Sequence, residues 1–435
     1  MPYKKLANDF LEKANVSIGD TIAIEKEDIT YKGILRDRLE EDDDGYIVLK
    51  LDNGYNIGID IANAKIKLIE KGKKVKKVYN ELNLAETVEK PKISIISTGG
   101  TISLNQKSSS QDPDFTAEDF LRIYPELLSH ANFRVKSLYN ILSENINIDH
   151  WIKAANGIFD EINNGADGVV VSHGTDTLHY TSAALSFMLK TPVPIIITGA
   201  QKSPDRPSTD AFLNLTNSIA AAKSDIAEVS VCMYNNLDDE YCSLHRGTKV
   251  RKMHTSRRDT FRSINSEPIA IFKDGKQVNV NPNIAYTKRG ANELDLHDNL
   301  ESKVSIIKSF PGITNDIIDY HIDKGYKGLL IEGTGFGHLP DYMIDSIKRA
   351  TDENIAVVMT SQCLYGKVNL NVYSTGKKLA NNNVIPGGDM TPETAYVKLC
   401  WALGQSEKLE EVEKIMTTNI AGELSEKSSI KHFLN

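Results

Sequence analysis

Three short stretches of this chain carry the residue types that cleave an amide: TGGT at 98–101, HGTDT at 173–177 and KMHTSRRDTF at 252–261. Hydrolysing a carboxamide takes a nucleophile, a group that accepts its proton, and donors for the developing oxyanion. The apolar run Ile93–Ile96 stops at Ser97 and is followed by Thr98, Gly99, Gly100 and Thr101. A buried strand that ends in two glycines sets the next hydroxyl at the carboxyl end of a sheet, where ligands of open α/β sheets bind. Glycines there let the backbone turn tightly and bring its N–H groups close to a substrate. Thr175 and Asp176 follow VVVS as Thr101 follows SIIS. Two hydroxyl-bearing strand ends in one sheet can face each other across a switch-point crevice. A lysine such as Lys252, held near a hydroxyl and a carboxylate, can accept the proton once its pKa falls from the reference value of about 10.4. Gly-Gly alone reads equally as a plain strand-ending turn; the two downstream stretches are what give TGGT chemical meaning.

Positioning such groups calls for a sheet, and the pattern supplies one. From Lys92 onward strands and helices alternate: DGVVVS (167–172), TSAALSFML (181–189), VPIIITG (193–199), STDAFLNLTNSIAAAKS (208–224) and AEVSVCMY (227–234). FTAEDFLRIYPEL (115–127) reads as a helix opening with Thr116 and Asp119 at capping-box spacing. This alternation predicts a largely parallel sheet covered by helices. The segment 270–302 reads as an irregular, polar connection. A second alternating block follows, with VSIIKSF (304–310), GLLIEG (328–333), DYMIDSIKRATD (341–352), IAVVMTSQ (355–362) and helices over 391–404 and 406–417. Ahead of all this, residues 1–15 read as a short helix. Five short strands then run from TIAIEK (21–26) to AKIKLIE (64–70), with turns marked by DDDG and DNG. The predicted architecture is α/β: a small SH3-like or OB-like β-barrel over 1–75, a linker over 76–91, a catalytic α/β domain over 92–290 and a smaller α/β domain over 291–435. The lysines between Lys71 and Lys77 read as part of a linker, with phosphate contact as the other reading.

The chain has 435 residues, 40% of them apolar and 25% charged, which is ordinary globular composition for more than one domain. Its formal charge of −8 gives no global pull toward nucleic acid. Cys232, Cys242, Cys363 and Cys400 lack metal or disulfide spacing and read as small buried hydrophobes. No histidine pair lies at metal spacing, so His173 reads as structural and no metal site is expected. GTGFGH (333–338) lacks the third glycine of a dinucleotide loop and the lysine of a P-loop, and reads as a tight strand-to-helix turn. Arg257 and Arg258 read as surface or inter-subunit charges, and Asp210 with Asn214 as local hydrogen bonding along one helix face. The apolar runs are too short for a membrane span and the first residues lack a signal peptide's apolar core, so a cytoplasmic protein is expected.

TGGT, HGTDT, the strand–ITGAQ–helix unit (197–201) and the spacing of Lys252, Thr255, Phe261 and Ser263 resemble the asparaginase/glutaminase family of amidohydrolases, over residues 92 to about 420. The N-terminal strands with KLDNGYNIGI (50–59), the forms HRGTKVRKMHTSRRD (245–259) and LSEN (142–145), and the tail NIAGEL (419–424) resemble the branch that serves archaeal tRNA-dependent amidotransferases. The resemblance implies Thr101 as the nucleophile and Thr175, Asp176 and Lys252 as a second hydroxyl–carboxylate–amine group. It implies Ser143, Glu144 and Gly100 as substrate contacts and glutamine as substrate. It also implies a homodimer, completed to a heterotetramer by a partner, GatE, that holds Glu-tRNA(Gln). No cofactor is expected in this chain; ATP and magnesium belong with the partner. One departure stands out: the loop 102–114, ISLNQKSSSQDPD, lacks the tyrosine that family members usually carry there. Ser108, Ser109 and Ser110 are either its replacement or loop filler. A free-standing asparaginase is the competing reading, and a scaffold with a decayed site the third; residues 1–90 argue against the first and the intact Thr101, Thr175, Asp176 and Lys252 against the second.

Overall fold

A computed structural model of the chain describes residues 3, 5–36, 45–52, 56–72, 89–100, 121, 125–204, 208–238 and 240–433. The helix α1 (Lys5–Lys13) packs on an antiparallel sheet of β1 (Thr21–Lys26), β2 (Ile29–Arg36), β3 (Tyr46–Leu51), β4 (Asn56–Asp60) and β5 (Lys65–Glu70), in the order β4-β3-β2-β1-β5. These are the five strands that the sequence predicts. Only two residues, Glu27 and Asp28, link β1 to β2, and Glu27 takes the left-handed φ of 53° that so tight a hairpin needs. Ile22, Ile24, Leu35, Ile47 and Leu49 face inward against Ala7 and Leu11. Lys71 belongs to this unit: it pairs with Asp20 at 3.1 Å, and Asp20 also accepts the Gly72 N–H. The other lysines of that stretch lie outside the described residues.

The central unit is built from β6 (Lys92–Gly99), β7 (Asn132–Ile141), α2 (Ile148–Asn163), β8 (Gly168–Ser172), α3 (Leu178–Met188), β9 (Leu189–Lys190), β10 (Ile195–Thr198), α4 (Ala211–Ala222) and β11 (Val229–Tyr234). It continues through β12 (Tyr241–Arg246), β13 (Val250–Lys252), β14 (Phe261–Ser263), β15 (Ala270–Lys273), β16 (Lys276–Val280) and β17 (Asp295–Leu296). Among the described residues its main sheet has the order β16-β15-β12-β11-β10-β8-β6-β7. Strands β6, β8 and β10 are buried along their length, as parallel strands covered on both faces must be. The sheet is parallel from β7 to β11 but antiparallel from β11 to β16. This corrects the expectation of an irregular connection at 270–302: β15 and β16 form a hairpin that extends the sheet, and β17 pairs with β9. The links from β11 to β12 and from β15 to β16 are short, and the longer one from β12 to β15 carries the hairpin β13–β14, so the chain returns antiparallel without a crossover helix. The half-exposed edge strand β7 and the helix α2, capped by Asn147, are elements that the sequence reading did not single out. The helix expected over 115–127 falls almost wholly outside the described residues; Pro125–Ser129 is a 3₁₀ turn.

The third unit is a parallel sheet of β18 (Val304–Lys308), β19 (Gly328–Gly333), β20 (Ala356–Ser361) and β21 (Ile385–Pro386). Helices α5 (Asp316–Asp323), α6 (Ile344–Asp352), α7 (Ser374–Asn381), α8 (Pro392–Gln405) and α9 (Leu409–Thr417) cover it. Trp401 of α8 stacks on Phe187 of α3, so the second and third units share apolar surface. Lys398, at the centre of α8, is fully buried and pairs at 2.5 Å with the equally buried Glu423 of the tail. Glu423 also accepts the N–H groups of Ile420 and Ala421, so the NIAGEL segment folds back as a fixed turn.

Candidate active site

The carboxyl ends of β6 and β8 meet in a contact that only glycine allows. Gly99 and Gly100 hold φ values of 105° and 84°. A β-carbon on Gly99 would lie 2.4 Å from the Ile141 carbonyl oxygen, and one on Gly100 would lie 2.3 Å from the Gly174 Cα. A β-carbon on Gly174 would in turn lie 2.7 Å from the Ser143 Cβ. Thr98 Oγ1 donates to the Ser172 carbonyl at 2.9 Å, and Thr177 Oγ1 donates to the Ser143 carbonyl at 2.7 Å. Three loops, after β6, β7 and β8, therefore close on one point. Gly100 and Ser143 are buried there, and Glu144, in the 3₁₀ turn Ser143–Asn145, is exposed beside them. Thr101, with the loop 102–114 and its serines, lies outside the described residues, one position beyond Gly100.

Opposite these loops stands the hairpin β13–β14. Lys252 closes β13, and its Nζ donates to Thr175 Oγ1 at 2.9 Å and to Asp176 Oδ1 at 2.6 Å. Thr175 is buried, the Lys252 side chain is 9% exposed and that of Asp176 is 66% exposed. The result is a lysine amine bound to one sheltered hydroxyl and to one carboxylate open to solvent. The carboxylate can receive a substrate's ammonium while its other oxygen keeps the lysine in place.

His173 adjoins this group and has another task. Its Nδ1 lies 2.6 Å from the Gly174 carbonyl, which can only accept, so that nitrogen carries the proton. Its Nε2 then accepts from Thr181 Oγ1 at 2.9 Å, and Thr181 receives the Trp151 indole N–H at 3.0 Å. Burial lowers its pKa to about 4 against a smaller opposing effect of the Gly174 bond, so the ring is a neutral, fixed spacer behind the turn. This agrees with its reading as structural. Asp210 and Asn214 also behave as expected and do more: Asp210 accepts from the Asn214 amide and from the N–H groups of Gln201 and Lys202, pinning the loop after β10.

Arg257 lies at the surface, as expected, and Arg258 is half-buried, yet both are engaged within the chain. Arg257 grips Asp259 through two bonds of 2.8 and 2.9 Å. Arg258 donates to the carbonyls of Ser208 and Leu237 and lies over the Tyr234 ring at 5.1 Å. GTGFGH forms, as expected, a tight turn at the end of β19, with Gly335 and Gly337 at positive φ. Among the groups that the sequence reading missed are Lys249, Asn265, Glu393 and Asp389, which lock the hairpin to the third unit. Their partners lie from 99 to 140 or more positions away, and no local pattern marks them. A cavity of about 870 Å³ beside Val229, Arg246 and Trp401 lies near the amino end of β11, and Thr175, Asp176 and Lys252 do not line it.

Comparison with known proteins gives the family and the fold. Residues 92–286 match the family model described as asparaginase, N-terminal, and residues 303–416 match the glutaminase/asparaginase C-terminal domain. Residues 16–69 match the GatD N-terminal domain. The GatD subunit of the glutamyl-tRNA(Gln) amidotransferase of Methanobrevibacter smithii is 61% identical, with 100% of both chains covered. Its counterpart from Pyrococcus abyssi is 48% identical over 96% of this chain and 97% of its own. Among solved structures, the thermostable L-asparaginase from Thermococcus kodakarensis aligns with a TM-score of 0.69 at 31% identity, covering 77% of this chain and 100% of that one.

Proposed function

The chain belongs to the GatD family of glutamyl-tRNA(Gln) amidotransferase subunits, and from that footing we propose that it is the glutaminase of a tRNA-dependent amidotransferase. It hydrolyses glutamine to glutamate and ammonia, and a partner protein uses the ammonia to convert Glu-tRNA(Gln) to Gln-tRNA(Gln). The observation that carries the chemistry is the amine of Lys252 bonded to both Thr175 and Asp176 at the carboxyl end of the sheet. Thr101 attacks the side-chain amide carbon and forms an acyl ester. Its proton passes through the Thr175–Lys252 pair to the leaving nitrogen, and water then releases glutamate. Asp176 receives the substrate's α-ammonium, and Ser143, Glu144 and the Gly100 backbone line the opposite side. The chain acts in the cytoplasm as a homodimer within a heterotetramer with GatE. ATP and magnesium act on that partner, where the tRNA-linked glutamate is activated.

The test is an assay of glutamine and asparagine hydrolysis by the purified chain, alone and with GatE and Glu-tRNA(Gln). The expected outcome is slow glutamine hydrolysis alone and at least a tenfold rise in the full complex, about 1.4 kcal/mol of barrier. Full turnover alone, unchanged by the partner and charged tRNA, would favour the free-standing asparaginase reading.

A further inference from the structure

Lys252 reaches its partners from an unusual support. The two-stranded sheet β13–β14 joins neither of the larger sheets around it, and it has only the register pairs Val250–Ser263, Arg251–Arg262 and Lys252–Phe261. An isolated two-stranded hairpin is marginal in water, so something else must fix it. Its base is bolted to the third unit. Lys249 pairs with Asp389 at 2.7 Å, both side chains 3% exposed; Arg251 pairs with Glu393 at 2.9 Å; and Asn265 donates to the carbonyls of Gly366 and Asp389. Its middle is held by Val250 and Phe261 in the core. The rim, the eight-residue loop that follows Lys252, is exposed from Met253 to Arg257 and needs its own fixing.

We propose that Asp259 is the positioning residue for Lys252, its carboxylate fixing the rim of the hairpin from which the amine reaches Thr175 and Asp176. Asp259 is 4% exposed. Its Oδ1 takes Arg257 Nε at 2.8 Å, and its Oδ2 takes Arg257 Nη2 at 2.9 Å and Arg262 Nη2 at 2.7 Å. Arg262 sits opposite Arg251 in the register and also donates to the Asn235 carbonyl, so the clamp joins the loop to both its own strand and the turn after β11. The adjacent Thr260, 1% exposed, accepts the His254 N–H at 2.7 Å and donates to the His254 carbonyl at 2.6 Å. Together these bonds bind both ends of the loop within two residues of Lys252. A long side chain holds two bonds at 2.9 and 2.6 Å only if its Cα is held. Arg257 foremost, with Arg262, keeps the Asp259 carboxyl below the usual carboxylate range, so the clamp is charged at neutral pH.

The inference rests on Lys252 acting as the proton acceptor, and the test separates the two. Steady-state glutamine hydrolysis by the full complex is measured for Asp259→Asn, Asp259→Glu, Arg257→Gln and Lys252→Met, with melting temperatures and pH–rate profiles. Asp259→Asn is expected to lower kcat at least tenfold, to leave KM within twofold and to displace the limb of the pH profile set by the lysine. Asp259→Glu should restore part of kcat, and Arg257→Gln, which leaves the Arg262 bond, should fall between. In the Lys252→Met background, adding Asp259→Asn should change nothing further. A folded Asp259→Asn with wild-type kcat and pH profile, beside an inactive Lys252→Met, overturns the positioning role alone. An active Lys252→Met overturns the reading on which it rests. Should Asp259→Asn fail to fold, Arg257→Gln decides: an unaltered kcat and pH profile overturns the proposal.

Discussion

At the scale of single residues, the site is a set of hydroxyls and one amine whose value lies in contact. Thr175→Val keeps the shape of the side chain and removes the oxygen that Lys252 holds at 2.9 Å. Near-complete loss of glutamine hydrolysis is expected, with little change in melting temperature. Thr101→Val should be comparably damaging, and a variant that keeps most of its activity takes Thr101 out of the nucleophile's role. Lys252→Met keeps length and loses the amine. Its defect is expected mainly in kcat, and one confined to KM would mark Lys252 as a binding residue.

At the scale of elements, the two glycine turns matter as much as the side chains they carry. Gly100→Ala would put a methyl 2.3 Å from the Gly174 Cα in a backbone conformation that alanine avoids. Neither turn can yield, because Gly174 is itself pressed against Ser143. The expected outcome is loss of glutamine hydrolysis together with a lowered melting temperature, whereas Gly290→Ala, at a positive φ of 74° with nothing within 4 Å, should cost stability and leave kcat intact. Assays of the two variants side by side separate a site effect from ordinary backbone strain.

At the scale of the whole molecule, buried ionic and neutral groups tie the second and third units together. Lys398→Met leaves Glu423 buried without its partner, a loss of about 3–5 kcal/mol by analogy with broken buried pairs. Replacing both with apolar residues should recover much of it, measured by denaturant unfolding. Three buried histidines set the acid response. Burial lowers the pKa of His173 to about 4 and those of His179 and His245 to about 3, against about 6.5 in an unfolded chain. Between those values the unfolded chain binds protons that the fold refuses, so stability falls as pH drops below 6.5. Each histidine contributes up to about 1.4 kcal/mol per pH unit. Unfolding midpoints taken from pH 6.5 down to 4.5 should show this slope, and a folded His245→Gln should lower it.

The sequence by itself determined the strand ends and what they carry. Apolar runs that stop at SerThrGlyGly and SerHisGlyThrAsp mark buried parallel strands with hydroxyls at their carboxyl ends, because such runs bury only in a covered sheet and the glycines permit only a turn. The five N-terminal strands were legible for the same local reasons, alternation and turn residues. The edge strand β7 was not, since its half-exposed residues alternate weakly, nor was the antiparallel half of the sheet, whose direction depends on where each hairpin returns. Spacing by itself did not say which lysine meets Thr175; the resemblance named Lys252, and the tertiary structure makes the contact. Lys249 and Lys252 lie three residues apart, yet one is buried on Asp389 of the third unit and the other reaches the site. That choice follows from the register of β13 against β14 and from ion pairs between residues some 140 positions apart. Such pairs form only where the folded chain excludes water, and composition and spacing do not encode that exclusion.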